Sequence, residues 1–495
     1  MRTHSIALAM ACTFLLGGCS SSSSTTPPAT PLRAGFLWGT ATAAHQIEGG
    51  PSDQGLHEND LYQWEQGGHI ANHDSIDTGP DGYARWQADL DLMQSMGVNA
   101  YRFSIEWSRV EPHDGVWDEQ AIAHYGALID ALRARHIEPV VTLQHFTLPI
   151  WLHDLAAEAQ RPGWAAPIGN APVVDRAARF AGEMARRFGD RVDWWIPLNE
   201  PNTLWSGAYL GGQLPPGHVL DFAGVQRAHV NQIEAHVAMT DAIRANDQID
   251  AGSGRATFIG IAQHMRVFMP KNPSSDADVR GADQLLRDFN DAIIDAVTFG
   301  DLDLNFDGQF DRPGEGQGLS RLAGRLDFVG INYYSTQLVL GISKTDDATG
   351  ITLLGLPQEN DDPAVPHTDV GWQIYPQGMH DLLVRAHLRW GLPIVVTENG
   401  IADADDSRRA RFLVDHVKSM QDAVREGADV RGYLHWSLYD NFEWSSGYAP
   451  KFGLATVDRT DPLRKRTARP SAQVFKQIAQ SNGVTAAIDA SVPLR

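Results

Sequence analysis

The chain has 495 residues, 43% hydrophobic and 20% charged, which is the usage of a globular protein rather than a disordered one. The 40 Lys and Arg against 61 Asp and Glu give a formal charge of −21, which argues against a polyphosphate partner or broad adhesion to anionic lipid, since both need a basic surface. Both cysteines, Cys12 and Cys19, precede the globular part, so no disulfide, cysteine nucleophile or thiolate metal site is expected within it. At about 150 residues per domain, the length fits roughly three domains or one large α/β barrel.

The chain opens on Met1-Arg2, an apolar run from Ile6 to Leu16, and Gly17-Gly18-Cys19. A positive start, a short apolar stretch and small residues read as a secretory signal; the stretch falls short of the ~20 residues that a spanning helix needs. Leu16-Gly17-Gly18-Cys19 resembles a bacterial lipobox, with residues 1–18 removed and Cys19 acylated. Residues 19–34, rich in Ser, Thr and Pro, read as a flexible tether. The protein is therefore expected to be exported and lipid-anchored to a bacterial membrane, facing the periplasm or the cell surface, with its folded part in water.

Beyond the tether, short β-rich runs recur at Phe36–Thr42, Ala100–Ile105, Glu138–Leu143, Asp193–Leu198, Phe258–Ala262, Leu326–Asn332, Ile394–Thr397 and Val430–Trp436. Amphipathic segments lie between them. Tyr83, Trp86, Leu90 and Met93 share one helical face, with Gly97 as a stop; Leu286, Phe289, Ile293 and Ala296 repeat the pattern. Eight alternating β and helical units predict an α/β fold, a single (β/α)8 TIM barrel with long βα loops over residues 35–495. In such a barrel the chemistry sits at the C-terminal ends of the strands.

Two predicted strands end in glutamate. The fourth runs into Asn199-Glu200-Pro201-Asn202, and the seventh into Glu398-Asn399-Gly400. Strands four and seven of an eight-stranded barrel face each other across its mouth, and two carboxylates converging on one cleft are what glycoside hydrolysis requires.

Taken together, Phe36-Leu37-Trp38-Gly39-Thr40-Ala41-Thr42-Ala43-Ala44-His45-Gln46-Ile47-Glu48-Gly49, Leu198-Asn199-Glu200-Pro201-Asn202, Val396-Thr397-Glu398-Asn399-Gly400, Trp436-Ser437-Leu438 and Asp440-Asn441-Phe442-Glu443-Trp444 resemble glycoside hydrolase family 1, the retaining β-glucosidases and β-galactosidases. The stretch through Gly432-Tyr433-Leu434-His435-Trp436 looks most like its archaeal branch.

The resemblance implies a retaining exo-β-glycosidase that removes terminal β-D-glucosyl, and also galactosyl or fucosyl, residues from oligosaccharides or aryl glycosides without a cofactor. Glu200 would be the general acid/base and Glu398 the nucleophile, with Arg102 and Tyr334 supporting Glu398. Gln46, His145, Asn199, Trp436, Glu443 and Trp444 would hold the sugar. A retaining pair implies carboxyl groups about 5–5.5 Å apart. A carboxylate at Glu443 favours neutral sugars over 6-phosphates, and the acid at Glu200 argues against the thioglucosidase variant. Two further readings stay open: a transglycosidase using the same covalent intermediate, and a non-catalytic sugar-binding lipoprotein.

Two features depart from the family pattern. The family's His-Trp pair is His145-Phe146 here. An insertion before the sixth strand carries Asp303, Asn305, Asp307, Gly308 and Asp311, which resembles an EF-hand or dockerin loop and raises a possible structural calcium; the twelfth position is Gly314, with Glu315 one residue on.

Overall fold

A computed structural model describes residues 32–52 and 55–493. The expected signal peptide, Cys19 and the tether up to Pro31 lie outside the described residues. Among the described residues, no helix is long and apolar enough to cross a membrane.

Among the described residues, nine strands make the main sheet: β1 (Leu37–Ala41), β2 (Ala100–Ser104), β3 (Glu138–Gln144), β4 (Trp194–Leu198), β5 (Phe258–Pro270), β6 (Phe328–Thr345), β7 (Thr352–Gln358), β8 (Ile394–Asn399) and β9 (Val430–Trp436). Eight of them close a parallel ring, β1-β2-β3-β4-β5-β6-β8-β9, with β9 returning to β1 and β5 to β6. This is the expected (β/α)8 barrel, and β8 is its seventh strand. The eighth β unit pairs with the first because each crossover passes through a helix that covers the ring from outside.

Local chemistry sets these helices. Asp118 caps Glu119–Ala134 by accepting from the Gln120 and Ala121 amides, and Pro172 opens Pro172–Phe188, where its missing N–H costs nothing. Gly97 ends Gly82–Met96 in the left-handed region at φ 68°. On that helix Leu90 and Met93 are fully buried, while Tyr83 and Trp86 pack half-buried against the core, as the spacing predicts.

One apolar cluster draws on all eight barrel strands and so fills the interior: Ala41, Ala100, Val140, Trp194, Ile196, Ala262, Phe328, Val395 and Leu434. Gly260 makes room for it, since a Cβ there would lie 2.4 Å from the Phe328 ring. Towards the C-terminal ends of the strands the same cluster finishes in Tyr334 and Trp436. The barrel filling therefore runs directly into the floor of the site.

The strands differ from the sequence expectation at β5 and β6, which continue past Ala262 and Asn332 to Pro270 and Thr345. Beyond the ring they keep pairing with each other, from Val267 with Thr336 to Pro270 with Val339, and β7 lies antiparallel along β6. The strand Thr352–Gln358 lies outside the eight expected β units. The resulting three-stranded extension rises beside the barrel mouth and carries residues into the site.

Candidate active site

Glu398 lies at the end of β8 and is 3% exposed. Each of its oxygens has one donor: Arg102 Nη1 at 2.5 Å from Oε1 and Tyr334 OH at 2.6 Å from Oε2. Arg102, on β2, is fully buried, and its remaining donors are also engaged, Nε with Thr142 Oγ1 at 3.0 Å and Nη2 with Asn199 Oδ1 at 2.5 Å. Burial pushes the Glu398 carboxyl up to about 7 despite the opposing pull of Arg102 and Tyr334. Gly400 keeps the following turn tight, because a Cβ there would sit 1.9 Å from the Trp436 carbonyl oxygen.

Glu200 follows β4, in the left-handed region at φ 42°, ψ 54°. A non-glycine residue there is strained by about 1–2 kcal/mol. The turn is held by its backbone: the Glu200 amide donates to Ala262 O at 2.7 Å, and its carbonyl accepts from the Leu204 amide at 3.0 Å. This swings the side chain inward, where Asn332 Nδ2 donates to Oε1 at 2.8 Å and His264 Nδ1 lies 3.4 Å from Oε2.

Burial raises the Glu200 carboxyl, while a charged His264 and hydrogen bonds from His264, Asn332 and Thr203 pull it down to about 2. The Coulombic part of that pull requires an imidazolium; the hydrogen bonds from Asn332 and Thr203 do not. Burial lowers the pKa of His264 itself below the ordinary 6.5, so at neutral pH the ring is uncharged. With His264 neutral the Coulombic part is gone, and burial, which raises the carboxyl, stands against the hydrogen bonds of His264, Asn332 and Thr203, which lower it.

The two carboxyl groups are linked by a continuous polar bridge. Glu398 contacts Arg102, Arg102 contacts Asn199 Oδ1, Asn332 Nδ2 reaches the same Oδ1 at 3.2 Å, and that nitrogen also contacts Glu200. Thr397 Oγ1 donates to Asn332 Oδ1 at 2.7 Å and fixes that amide. Since Asn199 Oδ1 accepts twice, its Nδ2 is the atom facing His145 Nε2 at 3.0 Å, which makes Nε2 an acceptor and places the proton on Nδ1.

The expected sugar contacts gather on the other wall. His145 stacks with Trp436 (centroids 5.9 Å, 25°) and with Trp444 (5.7 Å, 23°). Trp436 Nε1 donates to Glu443 Oε1 at 3.2 Å, and Gln46 Nε2 lies 3.4 Å from Glu443 Oε2. Burial raises the Glu443 carboxyl to about 8, so near neutrality it is mostly protonated and presents both a donor and an acceptor. Phe146, the departure from the family pair, sits at φ 73° and packs edge-on against Trp444 at 4.8 Å. It holds the Trp444 platform and has no indole N–H to offer.

The insertion folds as a self-bonded loop. Asp303 accepts from the Asn305 and Gly308 amides, Asn305 Nδ2 donates to Asp307 Oδ2, and Asp307 Oδ1 accepts from the Gln309 amide. Glu315 accepts from the Leu304 and Arg312 amides, Arg287 donates to Phe306 O, and Asp311 is exposed. Among the described residues, no group of three or more His, Cys, Asp or Glu side chains is placed to hold a metal ion.

Sequence reasoning missed Asn332, Thr397, Thr203 and His264. Asn332 ends the sixth β-rich run and Thr397 stands inside a quoted motif next to Glu398, and strand alternation would have turned both inward. His264 lies beyond the predicted end of the fifth strand and carried no signal.

The family model of glycosyl hydrolase family 1 matches residues 29–484. The chain is 31% identical to the "Beta-galactosidase" of Pyrococcus woesei over 92% of this chain and 98% of that protein. It is 34% identical to the "Bifunctional beta-D-glucosidase/beta-D-fucosidase" of Bifidobacterium breve over 86% and 93%. Among solved structures, the family 1 β-glucosidase from Thermotoga maritima superimposes with a TM-score of 0.78 at 30% identity, covering 92% of this chain and 99% of that one. Archaeal and bacterial relatives match about equally, so the identities do not single out the archaeal branch.

Proposed function

The chain belongs to glycosyl hydrolase family 1 and is a β-glycosidase, and from that premise we propose that it is a retaining exo-enzyme acting on terminal, unphosphorylated β-D-glucosyl, galactosyl or fucosyl residues. The observation that carries the reading is the contrast between the carboxyls. Glu398 is held at both oxygens by a guanidinium and a phenol, whereas Glu200 faces an amide and an imidazole.

In the first step Glu398 attacks the anomeric carbon while Glu200 protonates the departing glycosidic oxygen, which leaves a glycosyl ester on Glu398. Arg102 and Tyr334 orient the attacking carboxylate. In the second step Glu200, now a carboxylate, takes a proton from water, which attacks the same carbon, releases Glu398 and restores the β configuration. The described chemistry takes no cofactor. The names borne by the relatives support glucose, galactose and fucose. The uncharged set of Gln46, His145, Trp436 and Glu443 supports a neutral sugar, because it offers no cation to a 6-phosphate.

The test is a panel of aryl β-glucosides, galactosides, fucosides and mannosides, with Glu398→Gly as control and the first-formed anomer read by NMR. Turnover with β product supports the reading; no turnover of any member, or equal rates in the variant, removes it. Product analysis with an added sugar acceptor separates hydrolysis from transglycosylation.

Lipid anchoring is part of the same proposal and rests on the Leu16-Gly17-Gly18-Cys19 run and the Ser/Thr/Pro tract after it. Wild type should enter the detergent phase on partitioning, and Cys19→Ala should remain in the aqueous phase. Equal partitioning of the two would refute the anchor.

A further inference from the structure

We propose that Arg266 and His264 form a positioning pair that keeps the catalytic proton on Glu200. The inference rests on Glu200 being the acid/base and concerns how that group is kept ready. His264 pairs with Asn332 at the rim of the barrel ring, and Arg266 lies two positions on, where the β5–β6 register shifts; the two side chains meet directly.

The ring nitrogens of His264 have different neighbours. Nδ1 lies 3.0 Å from Thr203 Oγ1 and 3.4 Å from Glu200 Oε2. Nε2 lies 3.2 Å from Arg266 Nε. A guanidinium only donates and does not lose its proton in a protein, so Nε2 is the acceptor. The neutral ring therefore carries its one proton on Nδ1, directed at Thr203 and Glu200.

Arg266 is locked in this pose. Its Nη1 donates to Gln337 Oε1 at 2.7 Å, and Gln337 Nε2 donates to Glu359 Oε1 at 2.7 Å. Its guanidinium lies over the Phe289 ring, 5.4 Å from the centroid. Its backbone is clamped by Asn290, which accepts from the Arg266 amide at 3.1 Å and donates to its carbonyl at 2.8 Å. The titratable and charged groups facing His264 are Glu200 after β4, Arg266 on β5, Tyr334 on β6 and Glu359 after β7.

This arrangement decides where a shared proton rests. Moving the proton from Glu200 to His264 would put a second N–H on the ring, at Nε2, pointing at the Arg266 N–H. Like donors would meet at 3.2 Å and two cations would adjoin in a buried site, so the transfer is blocked. The ring can still donate from Nδ1 to Glu200, both as an acid and later as a carboxylate base. The Arg266 guanidinium bonds His264 and Gln337 and neither catalytic carboxyl, so it acts on Glu200 through His264.

The test compares wild type, Arg266→Met and Arg266→Met/His264→Asn with two substrates. Phenyl β-glycoside needs a proton to depart; the dinitrophenyl glycoside does not, and its kcat/KM reports the same step without acid help. In Arg266→Met the imidazole is free to take the proton. The alkaline limb of kcat/KM for the phenyl substrate should then move down by about one pH unit, a loss that grows to about tenfold at pH values above the wild-type limb. The dinitrophenyl substrate should lose far less. In the double variant, with no imidazole left to protonate, the limb should return towards its wild-type position. An unmoved limb, equal losses for both substrates, or no recovery in the double variant each overturns the pair's role. Should Arg266→Met fail to fold, the wild-type imidazole ¹⁵N spectrum decides, with His264→Asn assigning the signal. His264 is expected as the Nδ1–H tautomer without titration from pH 5 to 8, and an imidazolium in that range refutes the proposal. Failure of the wild type on both substrates would instead reject the glycosidase reading itself.

Discussion

Arg102 Nη1 stands 2.5 Å from Glu398 Oε1 with both residues removed from water, while the other arm of the same guanidinium holds Asn199. One planar fork thus sets the nucleophile and, through Asn199 and Asn332, the register of the acid/base. Arg102→Met should leave a buried carboxylate without its cation, a loss of about 3–5 kcal/mol if Glu398 stayed ionised. Glu398 will protonate instead. Its pKa, already about 7, should climb, moving the acid limb of kcat/KM upward and lowering activity at pH 7 more than at pH 8.5. A pH–rate profile checks this; a limb that stays in place would mean that Arg102 does not control the ionisation of Glu398.

Glu200→Gln removes the proton donor and the base but keeps the hydrogen-bonding shape beside Asn332 and His264. Substrates with poor leaving groups should lose roughly 10²–10⁴-fold in kcat/KM, and a dinitrophenyl glycoside much less. Without a base the second step slows, so a hexosyl adduct on the protein should accumulate and be visible by intact mass. Equal losses across leaving groups and no adduct would assign Glu200 a structural role only.

How much of this was legible in the sequence varies by residue for physical reasons. The ring strands were readable because each is a short apolar run between turn signals, and Glu200 and Glu398 because each directly ends such a run. Arg102 and Tyr334 came only through the family motifs, since a charge within an apolar run does not reveal its partner. The extension of β5 and β6 was missed because, outside the ring, Val267–Pro270 and Thr336–Thr345 are held by pairing with each other and, for β6, with β7, a partnership that no local pattern announces. His264 and Arg266 went unread with it. The expected charge on Glu443 was read from its residue type, and burial changes that reading to a mostly protonated group.

Glu443 and Gln46 share one corner, with Trp436 Nε1 donating to Glu443. Glu443→Ala removes two sugar-facing oxygens and leaves the Trp436 N–H unpartnered. At about 1–1.5 kcal/mol for each lost hydrogen bond, kcat/KM for neutral glycosides should fall roughly 30- to 150-fold. The rise should lie mainly in KM if the contact serves substrate and transition state alike. The variant should gain no turnover of 6-phosphoglycosides, since it gains no cation. Turnover of such a substrate by wild type would overturn the preference for neutral sugars.

Stability should pass through a plateau in pH, for reasons of opposite sign. Burial raises Glu443 to about 8, and Glu398, Glu138 and Asp247 to about 7. For these acids the folded chain binds more protons than the unfolded chain, so their contribution is complete below the unfolded values near 4–4.5 and is lost as pH rises towards 8. Burial lowers His45, His229, His416 and His435 to about 3. For these bases the folded chain binds fewer protons, so stability is lost as pH falls from 6.5 towards 3. Between about 4.5 and 6.5 the two effects oppose each other; above 6.5 only the acids act. Calorimetry from pH 4 to 9 should therefore give Tm nearly flat between about 5 and 6.5, then falling to pH 8.5. Glu443→Gln cannot ionise and should make that alkaline fall shallower. A Tm that rises from pH 6.5 to 8.5, or an unchanged slope in the variant, would show that Glu443 is already ionised in the folded protein.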